Sequence, residues 1–231
     1  MKILVFSDLH GSLNALKELI KTDDFKYADK RIFLGDVAFG CSRPNECLKL
    51  IQQCDCECIL GNNDFYITDY IPKSDEKTFN QNKMIQFEWM KKNIGEDGKR
   101  ILKSWKKEIT LKVNDKTLYF SHYAYNPNCD DSIQEKPDII NFDSRFKMFE
   151  HIDADYYFLG HEHESNYYHD GNKHFYCVGT LGLKNPGSYV IINCEGNDIT
   201  IEEKYIKFDI YEEIKLMDEA GYPYDKNKIN G

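Results

Sequence analysis

Three short apolar runs in the first part of the chain each end in a cluster of polar residues, and this arrangement constrains the fold most. The runs cover residues 3–6, 32–34 and 58–60. Continuous apolar runs of this length, bounded by glycine and aspartate, are typical of buried strands. The polar clusters that follow them are Ser7-Asp8-Leu9-His10, Gly35-Asp36 and Gly61-Asn62-Asn63-Asp64.

Helical patterns lie between these predicted strands. Apolar residues recur on one helical face over residues 13–20, after Ser12, and over residues 47–51, after Pro44. Serine is a favoured helix cap, and proline is favoured in the first turn of a helix. Strands that alternate with helices predict βαβ units and a parallel sheet, and hence an α/β fold class.

The second half of the chain has a different pattern of predicted strands. Residues 109–113 and 117–122 flank a turn at Asn114-Asp115 and predict a hairpin, and residues 155–160 form another buried run. Glycine-containing turns separate three further predicted strands, which we expect to be antiparallel. These strands cover residues 174–178, 189–193 and 199–205, and a last helix is predicted over residues 209–220.

Residues 66–108 interrupt this series of strands. The segment is rich in lysine and has a helical pattern, with Met84, Phe87, Met90 and Ile94 on one face. We interpret it as a helical insertion or cap within a single domain that spans residues 1–231. A chain of this length can bury a sizeable hydrophobic core.

Composition excludes several classes of protein. The 39 acidic residues outnumber the 30 basic ones, and a net charge of −9 argues against binding to a nucleic-acid polymer, which requires a basic face. No apolar run approaches the ~18 residues that span a bilayer, and the first run is too short for a signal peptide. We therefore expect a cytoplasmic protein without a membrane partner.

Three of the eight cysteines form the cluster Cys54-Asp55-Cys56-Glu57-Cys58. In a strand, this spacing places all three thiols on one face. Structural zinc sites usually pair thiolates as C-x₂₋₄-C with a second pair elsewhere, and the sequence has no such second pair. We interpret the three as small buried hydrophobic residues, with metal binding or redox sensing as the alternative.

Residues that could bind metal follow the predicted strands. Four of the seven histidines stand at such positions, beside aspartate and asparagine, and strand carboxyl ends are where α/β sheets bind ligands. Imidazole with carboxylate suits Mn, Fe, Zn, Co or Ni. Seven ligands are too many for one tetrahedral ion but suffice for two ions that share a carboxylate, which indicates a two-metal hydrolase. The seven are Asp8, His10, Asp36, Asn62, His122, His161 and His163.

The order of these residues resembles that of the calcineurin-like metallophosphoesterases. The family pattern D-x-H, G-D, G-N-[H/C]-[D/E], H and G-H-x-H is matched by Asp8-Leu9-His10, Gly35-Asp36, Gly61-Asn62-Asn63-Asp64, His122 and Gly160-His161-Glu162-His163. The resemblance implies that Asp36 bridges two metals. One metal would be held by Asp8, His10, Asp36 and His163, and the other by Asp36, Asn62, His122 and His161.

Further stretches are similar to those of small bacterial and archaeal phosphodiesterases and dinucleoside polyphosphate hydrolases. They lie at residues 40–47, 178–191 and 208–223, so the likeness covers most of the chain outside residues 66–108. The fold that this likeness implies is a four-layer α-β-β-α sandwich with the metals at the sheet ends.

The resemblance implies an enzyme in which a hydroxide held between two divalent metals, Mn first and Fe, Zn, Co or Ni as alternatives, attacks phosphorus. Phosphodiester or phosphoanhydride bonds of a small, nucleotide-type substrate are the expected targets. The expected catalytic residues are Asp36, Asn62, Asn63, Asp64 and His122. Two alternatives stay open: a non-catalytic metal-binding scaffold of the same fold, and a phosphomonoesterase or protein phosphatase.

Two departures from the family pattern bear on the substrate. Asn63 stands where phosphatases of this type carry a histidine, and an amide cannot supply a proton near neutral pH. Such an enzyme would favour phosphodiesters or phosphoanhydrides with good leaving groups over simple alkyl monoesters. This preference would not hold if Tyr66, Tyr123 or Asp64 supplies the proton. The arginine found in related enzymes near position 184 is also replaced, so we expect Arg43, Asn63 and Lys184 to bind substrate.

Overall fold

The computed structural model describes residues 1–71, 79–124 and 148–224, and ten strands and six helices lie within these ranges. The strands form two sheets of five. The first sheet has the order β10-β9-β1-β2-β3 and contains β1 (Lys2–Phe6), β2 (Lys30–Phe33), β3 (Glu57–Cys58), β9 (Gly187–Glu195) and β10 (Asp198–Ile206). The second has the order β4-β5-β6-β8-β7 and contains β4 (Glu108–Val113), β5 (Lys116–Ser121), β6 (Tyr156–Leu159), β7 (Ser165–Asp170) and β8 (Lys173–Val178).

A hydrophobic core lies between the two sheets. Alternate residues of β1 and β9 enter it from the first sheet, and alternate residues of β5 and β6 enter it from the second. Phe120 and Phe158 stack across neighbouring strands, with ring centroids 5.0 Å apart. Because successive side chains of a strand point to opposite faces, the same strands also supply the residues that pack outside the sandwich.

Helices cover the outer face of the first sheet. The helices are α1 (Leu13–Lys21), α2 (Asp23–Lys26), α3 (Pro44–Gln53), α4 (Asn62–Thr68), α5 (Gln81–Lys103) and α6 (Ile210–Ala220). Their apolar faces join Leu4, Phe6 and Phe33 in one cluster. On the second sheet, Phe149 packs against the outward side chains of Tyr157 and Phe175.

This mixed architecture confirms the layered α/β fold class, with three corrections in detail. Only β1, β2 and β3 are parallel to one another in the first sheet, because β9 and β10 join it antiparallel. Strand β8 lies in the second sheet, parallel to β6, and is therefore not a neighbour of β9. Strand β7 was not expected, because an exposed edge strand lacks the apolar alternation that indicates a strand.

The segment predicted as an insertion contains the last three residues of α4 and all of α5. Helix α5 buries Phe87, Met90 and Ile94, as expected, and packs beside α3 and α4 in the helical layer. A left-handed residue, Gly95, kinks it. The division into one domain with an inserted segment stays a prediction.

The three cysteines of the cluster are only partly buried, and they pack against the hydrophobic core that contains Leu4 and Phe33. Burial raises the pKa of Cys56 to about 12, and the same cause raises the pKa of Cys54 and Cys58, so these thiols are poor nucleophiles. No helix in the part of the chain that the structure describes combines the length and apolar character needed to span a membrane.

We predict that Phe158→Ala destabilises the fold by about 3–5 kcal/mol, since the fully buried ring joins Phe120 and Tyr176 between the sheets. Urea unfolding measures the change. Tyr211→Ala is the matched control, since that ring is 82% exposed and its loss should cost less than about 1 kcal/mol. Equal losses in the two variants would contradict this description of the core.

Candidate metal centre

Strand ends bring the seven predicted ligands together. Asp8 and His10 follow β1, Asp36 follows β2, His122 follows β5, and His161 and His163 follow β6. Asn62 is the first residue of α4, just after β3. Glycine permits this approach at Gly160, where an added Cβ would lie 2.9 Å from Nδ1 of His122.

A first group of side chains surrounds Asp8 and His10. Nε2 of His10 lies 3.1 Å from Nε2 of His163 and 3.6 Å from Oδ1 of Asp8. Nε2 of His163 is 3.4 Å from the same Asp8 oxygen. Oδ2 of Asp36 approaches this group to 4.0 Å from His10 Nε2. Two imidazole nitrogens and two carboxylates therefore face one small volume.

A second group surrounds His122 and Asn62. Nε2 of His122 lies 3.5 Å from Oδ2 of Asp36 and 3.1 Å from Oδ1 of Asn62. The same Asn62 oxygen is 2.8 Å from Nδ1 of His161. Oδ2 of Asp36 thus borders both groups. Asp8 also reaches both, because its carboxylate lies near Asp36 and His122 as well as near His10 and His163.

Backbone carbonyls orient two of the imidazoles. Nδ1 of His122 lies 2.8 Å from the carbonyl oxygen of Leu34, and Nδ1 of His10 contacts the carbonyl of Phe39. A carbonyl only accepts, so Nδ1 carries the hydrogen and donates it. In the neutral ring, Nε2 then keeps its lone pair and directs it at the carboxylates, as metal-binding histidines do.

The backbone is strained where the ligands lie. Among the described residues, seven non-glycine residues have a positive φ, and four of these are the predicted ligands Asp8, His10, Asp36 and His161. Left-handed backbone is unfavourable for residues with a side chain and gathers at functional sites. The surrounding contacts must therefore hold these four residues in place.

Asp64 holds the turn that contains Asp36. Its fully buried carboxylate accepts hydrogen bonds from the backbone N–H groups of Asp36, Val37, Ala38 and Gly61, at 2.8 to 3.1 Å. Burial, with the nearby charge of Asp36, raises the pKa of Asp64 to about 7. Both oxygens of Asp64 are thus engaged with the loop backbone, which makes it a positioning residue.

Asp8 is supported through one of its two carboxylate oxygens. Oδ2 accepts hydrogen bonds from the Ser7 hydroxyl at 2.5 Å and from the His161 N–H at 2.9 Å. Oδ1 is buried and accepts no hydrogen bond from the residues described. A buried carboxylate oxygen without a donor is costly unless something else neutralises it.

The electrostatics of the centre demand positive charge. Burial alone raises the pKa of Asp8 and Asp36, but the neighbouring imidazoles outweigh it and hold both pKa values below the usual range. Burial lowers the pKa of His122, yet the Asp36 carboxylate raises it to about 9, and Asp8 raises the pKa of His10 in the same way. Without a cation, protons on these histidines balance the two carboxylates.

The residues present fit divalent transition metals. Carboxylate, imidazole and amide oxygen donors are the ligand types that such ions take in proteins, and the hydrogen-bond-free oxygen of Asp8 lies among them. The donors fall into two groups that share carboxylates. Two groups of candidate ligands for divalent metal thus lie side by side.

The predicted substrate residues have other partners in the structure. The Asn63 side-chain amide donates to Oδ2 of Asp36, and its backbone N–H donates to Oδ1 at 2.9 Å. Arg43 pairs with Glu46 at 3.2 Å and with Glu219 at 3.6 Å. Lys184 pairs with Glu164, next to His163. Asn63 thus contacts the centre, whereas Arg43 and Lys184 are engaged with carboxylates around it.

Sequence reasoning missed the supports of the centre. Ser7 and Thr180 donate from their hydroxyls to Oδ2 and to the carbonyl oxygen of Asp8. Phe39 accepts from His10 through its backbone carbonyl, which carries no sequence signal. Asp64 was expected to be catalytic, and its place in the motif gave no sign that its oxygens would face backbone N–H groups.

Comparisons with known proteins agree with this geometry. A family model described as a calcineurin-like phosphoesterase superfamily domain matches residues 1–197. Uncharacterized protein MJ0912 of Methanocaldococcus jannaschii is 28% identical over 237 residues, which cover 92% of this chain and 91% of that protein.

Two solved structures share the fold over nearly the whole chain. A metallophosphoesterase from Sphaerobacter thermophilus has a TM-score of 0.72 at 20% identity and covers 99% of this chain and 97% of its own. Hypothetical protein PH1004 from Pyrococcus horikoshii OT3 has a TM-score of 0.81 at 14% identity, with coverage of 99% and 96%. Because the family model matches most of its length, this chain belongs to the calcineurin-like phosphoesterase superfamily.

Proposed function

We propose that this protein uses two divalent cations to hydrolyse phosphodiester or phosphoanhydride bonds in small, nucleotide-type substrates, with Mn²⁺ as the first candidate metal. One observation carries the proposal. Oδ2 of Asp36 lies 4.0 Å from His10 Nε2 and 3.5 Å from His122 Nε2, so one carboxylate borders two groups of nitrogen and oxygen donors. This shared carboxylate is the feature that a two-cation site requires.

The ligands divide between the two groups, with Asp36 in both. The first cation would be held by Asp8, His10, Asp36 and His163, and the second by Asp36, Asn62, His122 and His161. When bound, two cations supply a water-derived nucleophile at neutral pH and neutralise charge that develops on the phosphoryl oxygens.

The protein holds the shared carboxylate in position and leaves one side of the centre open to a substrate. Asn63 holds both oxygens of Asp36 by hydrogen bonds, and Asp64 fixes the turn behind it. The side chain of His163 is 41% exposed, whereas those of His10, His122, Asp8 and Asp36 are buried. A phosphoryl group would therefore approach from the side of His163, next to Lys184 and Glu164.

The first prediction concerns the shared carboxylate. Asp36→Asn should lower turnover of a chromogenic phosphodiester by at least about 100-fold, because loss even of an indirect metal contact commonly costs 10- to 100-fold. Asp153→Asn is the matched control, since Asp153 is exposed. Wild-type turnover in purified, folded Asp36→Asn protein would contradict the proposal.

The second prediction concerns pH. The pKa of His122 is raised to about 9, so its imidazole carries a proton at neutral pH in the metal-free protein, and the raised pKa of His10 favours the protonated form of that ring as well. A cation must displace these protons, so Mn²⁺ affinity should rise with pH until it levels off near the raised pKa. The rise should be up to about tenfold per pH unit for each proton displaced.

Calorimetric titration of Mn²⁺ in buffers of different ionisation enthalpy measures this proton release directly. The expected result is net release of protons on binding at neutral pH. Binding that is independent of both pH and buffer would show that these histidines are not the groups that the cation displaces.

The third prediction concerns the leaving group. Asn63 supplies no proton, and a positioned acid contributes about 10²–10⁴-fold, so the rate should fall steeply as the leaving-group pKa rises. A series of substituted phenyl phosphodiesters measures the slope, and Asn63→His should make it shallower. A flat slope in the wild type would mean that another group, such as Tyr66 or Tyr123, donates the proton.

A further inference from the structure

A cavity of about 390 Å³ lies beside the candidate metal centre. Its walls come from the start of α5, from α6 and from the loops that follow β2 and β8. None of the seven candidate ligands lines it. Its lining includes Phe39, Asn82, Gln86, Leu183, Ile210 and Met217.

The cavity and the metal centre share a thin wall. An added Cβ on Gly40, which lines the cavity, would lie 2.7 Å from Cβ of His10 and 3.1 Å from Cδ2 of Leu183. Phe39 lines the cavity, and its carbonyl oxygen orients His10. Gly182, another lining residue, donates its N–H to the Asp8 carbonyl at 3.2 Å. Leu183 lines the cavity, is 43% exposed and precedes Lys184, whose ion pair with Glu164 lies beside His163. A molecule held by its phosphate at the exposed side of the centre could therefore extend past Leu183 into the cavity.

The lining combines apolar surface with amides. Phe39, Leu183, Ile210 and Met217 supply apolar contact, and Asn82 and Gln86 supply amide groups at the start of α5. Glu213, at the cavity wall, uses Oε2 to accept from Ser12 and Asn14, while its buried Oε1 accepts no hydrogen bond from the described residues. An apolar wall with a few polar groups suits a flat ring with donors and acceptors on its edge.

We propose that this cavity binds the nucleobase of a nucleotide substrate while the phosphate lies at the Asp8–Asp36 centre. The volume falls within the range of about 300–1,000 Å³ that is typical of small-molecule sites. This inference rests on the proposed function and deepens it, because it assigns the part of the molecule that selects a nucleotide over a simple phosphodiester.

Two substitutions fill the cavity without removing a buried side chain. Asn82 is exposed on α5, and Leu183 is 43% exposed, so Asn82→Trp and Leu183→Trp should fold. Asn93→Trp is the matched control, because Asn93 is exposed on the same helix but does not line the cavity. Circular dichroism verifies the fold of each variant.

The first measurement is binding of adenosine to the metal-free protein by ligand-observed NMR. We expect the wild type and Asn93→Trp to bind it, and both cavity-filling variants to bind it at least about tenfold more weakly. The second measurement compares kcat/KM for a nucleotide phosphodiester with that for bis(4-nitrophenyl) phosphate, with Mn²⁺ present. The ratio should fall about tenfold in Asn82→Trp and Leu183→Trp and stay constant in Asn93→Trp.

The outcomes separate this inference from the proposed function. Adenosine binding that depends on the cavity, in a protein that hydrolyses neither phosphodiesters nor phosphoanhydrides, would support the nucleobase site and overturn the proposed function. Hydrolysis with no adenosine binding, or with a ratio that the cavity-filling variants do not change, would overturn the nucleobase site alone. Cavity-dependent hydrolysis of an alkyl phosphodiester without preference for nucleotides would also overturn it.

Discussion

Two carboxylates, Asp8 and Asp36, are buried beside each other in the sheet-end region of this protein, and the rest of the centre depends on compensating their charge. Removing a carboxylate from water is expensive unless opposite charge or hydrogen bonds replace the solvent. Here the imidazoles of His10, His122 and His163 surround the pair, and one oxygen of Asp8 is left without any donor from the described residues. Cations between these groups would satisfy the carboxylates and the imidazole lone pairs together.

This buried charge explains why so many contacts hold the ligand-bearing loops in place. Asp8, His10, Asp36 and His161 all adopt left-handed backbone, which each residue resists by roughly 1–3 kcal/mol. Asp64 holds the turn at Asp36 through four backbone N–H groups, and Thr180 holds the Asp8 carbonyl. The two packed sheets supply the rigid frame from which these loops extend. The strain is thus borne by the fold and concentrated where the ligands meet.

Much of the fold could be predicted from sequence because local patterns carry it. Helix α6 lies within the helix predicted over residues 209–220. Asp209 accepts hydrogen bonds from its first N–H groups, and left-handed Gly221 ends it. Pairing between distant strands has no comparable local signal. Strands β8 and β9 are neighbours in sequence but belong to different sheets, and β9 pairs with β1 from the far end of the chain.

The candidate site, like the fold, could be predicted from the sequence only in part. Asp8, His10 and Asp36 stand directly after apolar runs, so their convergence follows from strands that end at one edge. The positions of Asn63 and Asp64 do not follow from such reasoning. Both are predicted to be catalytic, which stays a prediction. In the structure the Asn63 side-chain amide donates to Oδ2 of Asp36, and the Asp64 carboxylate accepts from the backbone N–H of Asp36. Which face of a loop a side chain occupies depends on three-dimensional contacts that no spacing encodes.

A crystal structure of the protein soaked with Mn²⁺, with the ions located by anomalous scattering, tests the central claim most directly. The account predicts two ions about 3.5–4 Å apart, with Asp36 contacting both. Asn62, His122 and His161 would contact one ion, and Asp8, His10 and His163 the other. A single ion, or ions bound away from Asp36, would contradict it.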